Sequence, residues 1–248
     1  MSGHAFDRAY FVGGTKSNYL DYRDVEPAID AGFMPVVLQY APGKEAGKRR
    51  SYLDVGCAMG FYVERMARLG WDAAGIDVSE YAVGQGRERS VRGLSVGSAD
   101  ELPYPDEAFD FVTAIDVVEH LEPEVVTGMV REMRRVLAEG GLCFVATPNF
   151  LSNQYWNIYT PGFHDKDSTH VNYQSVESLR ALFGDFSRCQ IYGHTPFVDQ
   201  FHAFDTSGAF TSRLFRIGFC AKLARHVSWK LLGRSVDYSS YLHAVAVK

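Results

Sequence analysis

The run Ser51-Tyr52-Leu53-Asp54-Val55-Gly56-Cys57-Ala58-Met59-Gly60 decides the fold, because a short apolar strand passes straight into a turn of small residues and then into a helix. Tyr52, Leu53 and Val55 suit a strand buried on both faces, as in a parallel sheet. Gly56, Ala58 and Gly60 leave the turn almost bare of side chains, so a ligand can lie against its backbone. Residues 61–69 then read as a helix, with Val63, Met66, Ala67 and Leu69 on one side and Glu64, Arg65 and Arg68 elsewhere.

About 20 residues past the turn, the apolar run Ala73-Ala74-Gly75-Ile76 ends in Asp77, the place where nucleoside-binding β-α-β units carry the carboxylate that accepts both ribose hydroxyls. Turn, helix and strand-terminal acid together are a stronger signal than a glycine-rich turn alone. Dinucleotide binders use G-x-G-x-x-G/A, so that the helix packs close and its amino end holds a pyrophosphate. Here the third position is Phe61, a bulky ring, which argues against a pyrophosphate and for a nucleoside without one.

Alternation continues downstream. Residues 79–91 read as helix, 94–96 as strand, 109–115 as strand after the turn Pro105-Asp106-Glu107, 123–137 as helix and 142–147 as strand. Such repetition gives a parallel sheet with helices on both faces, whose ligands sit at the carboxyl ends of the strands. Gly56, Asp77, Ser98, Asp116 and Pro148-Asn149 all fall at such ends. Residues 176–183 read as a further helix, and 189–192 and 241–247 as further strands.

In order, LDVGCAMG, GIDVSE, GSADELPYPDEAFDFV, DVVEHLEP, RVLAEGG and ATPN resemble the motifs of class I S-adenosylmethionine-dependent methyltransferases, over residues 51–183. The resemblance is closest to the small-molecule group that includes the ubiquinone and sugar methylating enzymes. It implies an α/β Rossmann-like three-layer sandwich, with a mostly parallel seven-stranded sheet whose last strand is antiparallel. It implies S-adenosylmethionine as cofactor, held by Asp54, Gly56, Cys57, Ala58, Gly60, Asp77, Val78, Ser98, Ala99, Asp100 and Asp116. Two positions depart from the family. Its middle glycine is Ala58, and the acid that meets the adenine amino group is Ser98, leaving either Ser98 or Asp100 for that contact.

The chemistry is expected in Asp116-Val117-Val118-Glu119-His120 and in residues 164–170. Displacement at a sulfonium releases a neutral leaving group, so the protein mainly aligns donor and acceptor. An oxygen acceptor must also lose a proton, and a histidine, with an unperturbed pKa of ~6.5, suits that task. His120, His164 and His170 are the catalytic candidates, with His120 nearest the methyl group. His120 reads equally as a helix-start histidine bonded to backbone, and His170 as a residue that orients its loop. No metal is assigned. The competing arrangement is Glu119, His120 and one of His164 or His170, with Asp116, as mixed nitrogen and oxygen ligands; methyltransferases of small-RNA terminal ribose carry a similar Glu-x-x-Glu-His pattern.

With 248 residues, 46% of them hydrophobic and 22% charged, the chain can bury one substantial core, and a single domain is expected. Within it, residues 1–50 form an aromatic amino-terminal segment, which suits a flap packed on the core or a lid over cofactor or substrate, and a helix at 27–40, residues 51–149 the cofactor-binding core, and residues 150–175 and 196–236 substrate-side insertions. A net charge of -5 disfavours nucleic acid and favours small or neutral acceptors. The four cysteines show no paired spacing and read as reduced thiols of a cytoplasmic protein. No stretch reads as a membrane span or a signal core. Residues 210–234 carry a basic amphipathic pattern, which suits a helix covering the core, a carrier-docking face, a dimer contact or weak membrane attachment. A nicotinamide-dependent oxidoreductase and a nucleoside-binding module without turnover are the competing classes.

Overall fold

The computed structural model describes residues 6–13, 16–17, 19–43, 50–149, 167, 169–194 and 241–248. His164, most of the aromatic segment 150–175, the whole of 196–236 and Cys220 lie outside the described residues.

Seven strands form one sheet: β1 (Ser51–Val55), β2 (Asp72–Asp77), β3 (Leu94–Val96), β4 (Phe109–Ile115), β5 (Leu137–Pro148), β6 (Arg188–His194) and β7 (Tyr241–Val247). Their order is β3-β2-β1-β4-β5-β7-β6, parallel from β3 to β5. The last strand pairs antiparallel with both β5 and β6, so it lies within the sheet and not at its edge. Burial on both faces follows, and Leu242, His243, Ala244 and Ala246 are all enclosed.

Two helical layers cover the sheet. On one face α6 (Pro123–Val136) sets Val126, Met129, Val130 and Met133 against Leu53, Val112 and Val145, and α7 (Val176–Leu182) adds Leu179. On the other, α4 (Phe61–Arg68) sets Phe61 and Met66 beside Tyr52, Phe111 and Phe144. α5 (Glu80–Glu88) covers β2 and β3. Side-chain alternation along β4 explains the division: Phe111 joins one layer and Val112 the other. Burying each such aromatic side chain contributes about 1.5–3 kcal/mol.

The amino-terminal region departs from expectation. Residues 6–25 contain α1 (Arg8–Phe11), capped by Asp7, and a 3-10 turn at Tyr22–Val25. The expected helix at 27–40 comprises α2 (Glu26–Ala28), a π-helical turn (Ile29–Phe33) and α3 (Met34–Tyr40). Arg65 of α4 holds this region by ion pairs to Glu26, at 2.8 Å, and to Asp30. β5 starts earlier than its apolar run. Leu137 already pairs with Phe109, and an irregularity between Phe109 and Phe111 absorbs the Ala138–Gly141 excursion before Leu142 meets Phe111.

Candidate functional site: the carboxyl ends of β1, β2 and β4

Gly56 leaves β1 at φ 75°, and a Cβ there would come within 2.3 Å of a Val117 methyl group, so the turn after β1 and the turn after β4 touch only because the residue is glycine. The Gly56 and Cys57 amides both donate to the Ile76 carbonyl, at 2.8 and 3.0 Å. Ala58 adopts φ 46°, a left-handed backbone that costs a non-glycine residue about 1–2 kcal/mol, in place of the glycine expected there. Gly60, at φ 76°, opens α4.

Asp77 fixes this turn. Its Oδ2 accepts from the Ala58 amide at 2.7 Å and its Oδ1 from the Ser79 amide at 2.8 Å. Each oxygen keeps a second lone pair, so the pair can still accept ribose hydroxyls. Burial raises the Asp77 carboxyl above its ordinary range. Asp54 is buried beneath the turn. Burial pushes it up to about 7, against a 2.7 Å hydrogen bond from Thr113 Oγ1, which in turn lies 2.6 Å from the Tyr52 hydroxyl. Thr113 was not singled out from the sequence, and Tyr52 was read only as a residue of the buried strand. Ser98 is exposed and bonds the Asp100 carboxylate, so the two expected adenine contacts form one unit beyond β3.

Asp116 ends β4 at φ 54°. Its carboxyl is raised by burial and bonds the Tyr241 hydroxyl, while Oδ1 is buried without a hydrogen-bond partner among the described residues. Glu119, on the 3-10 turn Val118–His120, accepts from Thr147 Oγ1 at 2.9 Å through Oε2 and leaves Oε1 likewise unpartnered. Burial, and then the Asp116 charge, push the Glu119 carboxyl well up. The 167–174 segment is tied to this turn, since the Val171 and Asn172 amides both donate to the Glu119 carbonyl, at 2.8 and 3.0 Å.

His120 is only 7% exposed and sits against His170, their ring centroids 4.6 Å apart. Two of the three expected catalytic histidines are thus together. His120 Nδ1 lies 2.8 Å from Thr169 Oγ1, which donates to Asp167 Oδ1 at 2.5 Å. From the amino-terminal segment, Tyr10 donates to Asp167 Oδ2 at 3.2 Å and its oxygen lies 3.5 Å from His120 Nε2. Burial keeps the Tyr10 phenol protonated by raising its pKa far above the ordinary value. Phe6 meets the His120 ring edge-on at 5.6 Å, and its carbonyl accepts from Ser79 Oγ beside Asp77. The amino-terminal segment therefore bridges the Asp77 turn and the His120 cluster. Asp167 and Thr169 lie in the stretch 164–170 where chemistry was expected, but only the fold joins them to His120.

Glu119, His120 and His170 each bring one nitrogen or oxygen atom to within 4.8 Å of the others. A tetrahedral ion with bonds of about 2.0–2.2 Å needs its ligand atoms roughly 3.4 Å apart. The present spacing reaches beyond that.

A run of parallel strands with a bare turn after β1, an acid ending β2 and, after β4, an acid with one unpartnered oxygen defines a nucleoside-binding, Rossmann-like enzyme site. Residues 53–145 match the model of the methyltransferase domain family. A probable S-adenosylmethionine-dependent methyltransferase of Mycobacterium tuberculosis is 32% identical over 158 residues, covering 59% of this chain and 53% of the relative. The chain thus matches about half the length of such mycobacterial relatives. The ubiquinone biosynthesis O-methyltransferase of Methylococcus capsulatus is 34% identical over 185 residues, 68% of this chain and 77% of the relative. A methyltransferase structure from Archaeoglobus fulgidus superposes with a TM-score of 0.65 at 19% identity, covering 96% of this chain and 99% of that one, and so shares the fold. The chain belongs to the S-adenosylmethionine-dependent methyltransferases. The family's cofactor fits the site: a cradle that a Cβ at Gly56 would fill, two ribose acceptors on Asp77, and the unpartnered Oδ1 of Asp116 for a cationic group. Among the described residues no helix is long and apolar enough to cross a membrane.

Proposed function

We propose that the protein transfers a methyl group from S-adenosylmethionine to an oxygen of a small-molecule acceptor, with His120 as the general base. The observation that carries this reading is the place of His120: an enclosed imidazole beside the end of β4, joined to the Asp77 turn by the segment of Phe6 and Tyr10. Bound S-adenosylmethionine supplies an electrophilic methyl carbon on a sulfonium that departs as a neutral thioether. Asp77 orients the ribose, Asp116 faces positive charge, and the buried walls exclude water. As the acceptor oxygen bonds the methyl carbon, its proton passes to His120 Nε2, and the imidazolium later returns that proton to water. His170 orients the loop that carries Thr169. The name of the Methylococcus relative favours an oxygen acceptor, and the net charge of -5 favours a small molecule over nucleic acid.

Isotope-labelled S-adenosylmethionine, offered with a panel of phenols, sugars and amines, tests the assignment. Methyl ethers are expected as products, and His120→Gln should slow their formation by about 10²–10⁴-fold while S-adenosylhomocysteine affinity, read by calorimetry, stays put. N-methyl products alone would overturn the oxygen assignment, and an undiminished rate would remove His120 as base. A second reading is favoured by the approach of Glu119, His120 and His170, which would hold a divalent cation that would supply Lewis-acid chemistry at the acceptor. Stoichiometric metal in the purified protein, lost with activity on chelation, would support it.

A further inference from the structure

We propose that Thr169, held by Asp167, fixes the imidazole of His120 as the tautomer protonated on Nδ1, so that Nε2 is the atom that takes the acceptor's proton. The inference rests on the reading of His120 as base, and it assigns two positioning residues to that reaction.

The hydrogen bonds around Asp167 place each proton. Asp167 Oδ1 accepts the Thr169 amide at 3.0 Å, and Oδ2 accepts the Tyr10 hydroxyl at 3.2 Å, so both oxygens of Asp167 act as acceptors. The Thr169 hydroxyl, 2.5 Å from Oδ1, fills that short contact with its single proton. What it turns toward His120 Nδ1, 2.8 Å away, is a lone pair. A lone pair there requires a proton on Nδ1 and leaves the lone pair of the neutral ring on Nε2. The same chain of carboxylate, hydroxyl and imidazole sets the plane of the ring, which His170 edge-on at 4.6 Å and Phe6 edge-on at 5.6 Å hold from the sides. Tyr10 cannot reverse the assignment. Its proton goes to Asp167, and at 3.5 Å from Nε2 it offers that nitrogen no firm hydrogen bond.

Long-range proton–nitrogen correlation spectra of the histidine-labelled protein, bound to S-adenosylhomocysteine, read the tautomer without any acceptor. The His120 signals are identified by their loss in His120→Gln. Wild type should show the pattern of a ring protonated on Nδ1. Thr169→Val should change it to a mixture or to the Nε2-protonated form, and Thr169→Ser, which keeps the hydroxyl, should restore it. A wild-type ring protonated on Nε2 overturns the proposal whether or not the valine variant folds, and so does a wild-type pattern in a folded Thr169→Val protein. Failure of His120→Gln to slow turnover would instead strike the base assignment and leave the tautomer standing.

Discussion

Asp77, the proposed ribose contact, first of all binds the protein to itself. Its two oxygens accept the Ala58 and Ser79 amides, so the residue proposed to face the ribose also ties the turn after β1 to the start of α5. Asp77→Ala should therefore weaken S-adenosylhomocysteine binding by about 1–3 kcal/mol, the cost of leaving hydroxyls unpaired, and should also loosen the turn. Asp77→Asn, which keeps one carbonyl acceptor, should lose less. Calorimetric titration of both variants checks this, and an affinity equal to wild type in Asp77→Ala would sink the ribose assignment. The sequence spacing placed this acid at the end of β2, where the structure has it, because strand, turn and strand are local and their periods are visible. What spacing could not convey is the left-handed backbone at Ala58 and Asp116, since either residue type is ordinary outside such a turn.

At the scale of elements, the amino-terminal segment is the piece whose use depends on a distant anchor. Ser79 caps α5 by accepting the Ala82 amide at 3.1 Å and donates its own proton to the Phe6 carbonyl at 2.5 Å. Both bonds are buried, and Ser79 itself is fully enclosed. Ser79→Ala should cost about 1–2 kcal/mol in unfolding free energy, the loss of a cap and of a buried acceptor's partner. It should also make residues 6–13 more open to limited proteolysis. Unchanged cleavage in a destabilised variant would mean that the segment is held by its aromatic contacts alone. Phe6, Tyr10, Phe11, Tyr19 and Tyr22 make the amino-terminal segment visibly aromatic in the sequence, yet it has no period to read. Its order comes from edge-on ring contacts of Phe6 and Tyr10 with His120 and tilted contacts of Phe11 with Tyr81 and of Tyr22 with Phe61, partners distant in sequence that no local pattern announces. The core strands were legible for the opposite reason. β3 and β4 keep the bounds their apolar runs suggest, whereas β5 gains its early residues only from pairing with β4.

For the molecule as a whole, the site's acids set how stability responds to pH. Asp54, Asp77, Asp116 and Glu119 are all raised by burial, and Asp54 reaches about 7 from an ordinary value of 3.8. A carboxyl raised in the fold holds its proton to a higher pH than the unfolded chain does. Its contribution is therefore fully present below about pH 4 and is lost as pH rises through its folded value. For Asp54 the span of roughly 3 units corresponds to about 4 kcal/mol at most, at about 1.4 kcal/mol per unit. Opposing effects come from acids lowered by basic partners, chiefly Asp21 and Asp30, which lie near the surface where screening reduces their weight. The protein without its cofactor should thus melt at progressively lower temperature between pH 5 and pH 8. Asp54→Asn, which still accepts from Thr113 through its carbonyl, should flatten that slope and raise the midpoint at pH 8 by several degrees, at roughly 2–4 °C per kcal/mol for a chain of this size. Thermal melts of the two proteins at matched ionic strength decide it. Parallel curves would mean that Asp54 is ionised in the fold already, with its charge met by the hydrogen-bonded chain of Thr113 and Tyr52.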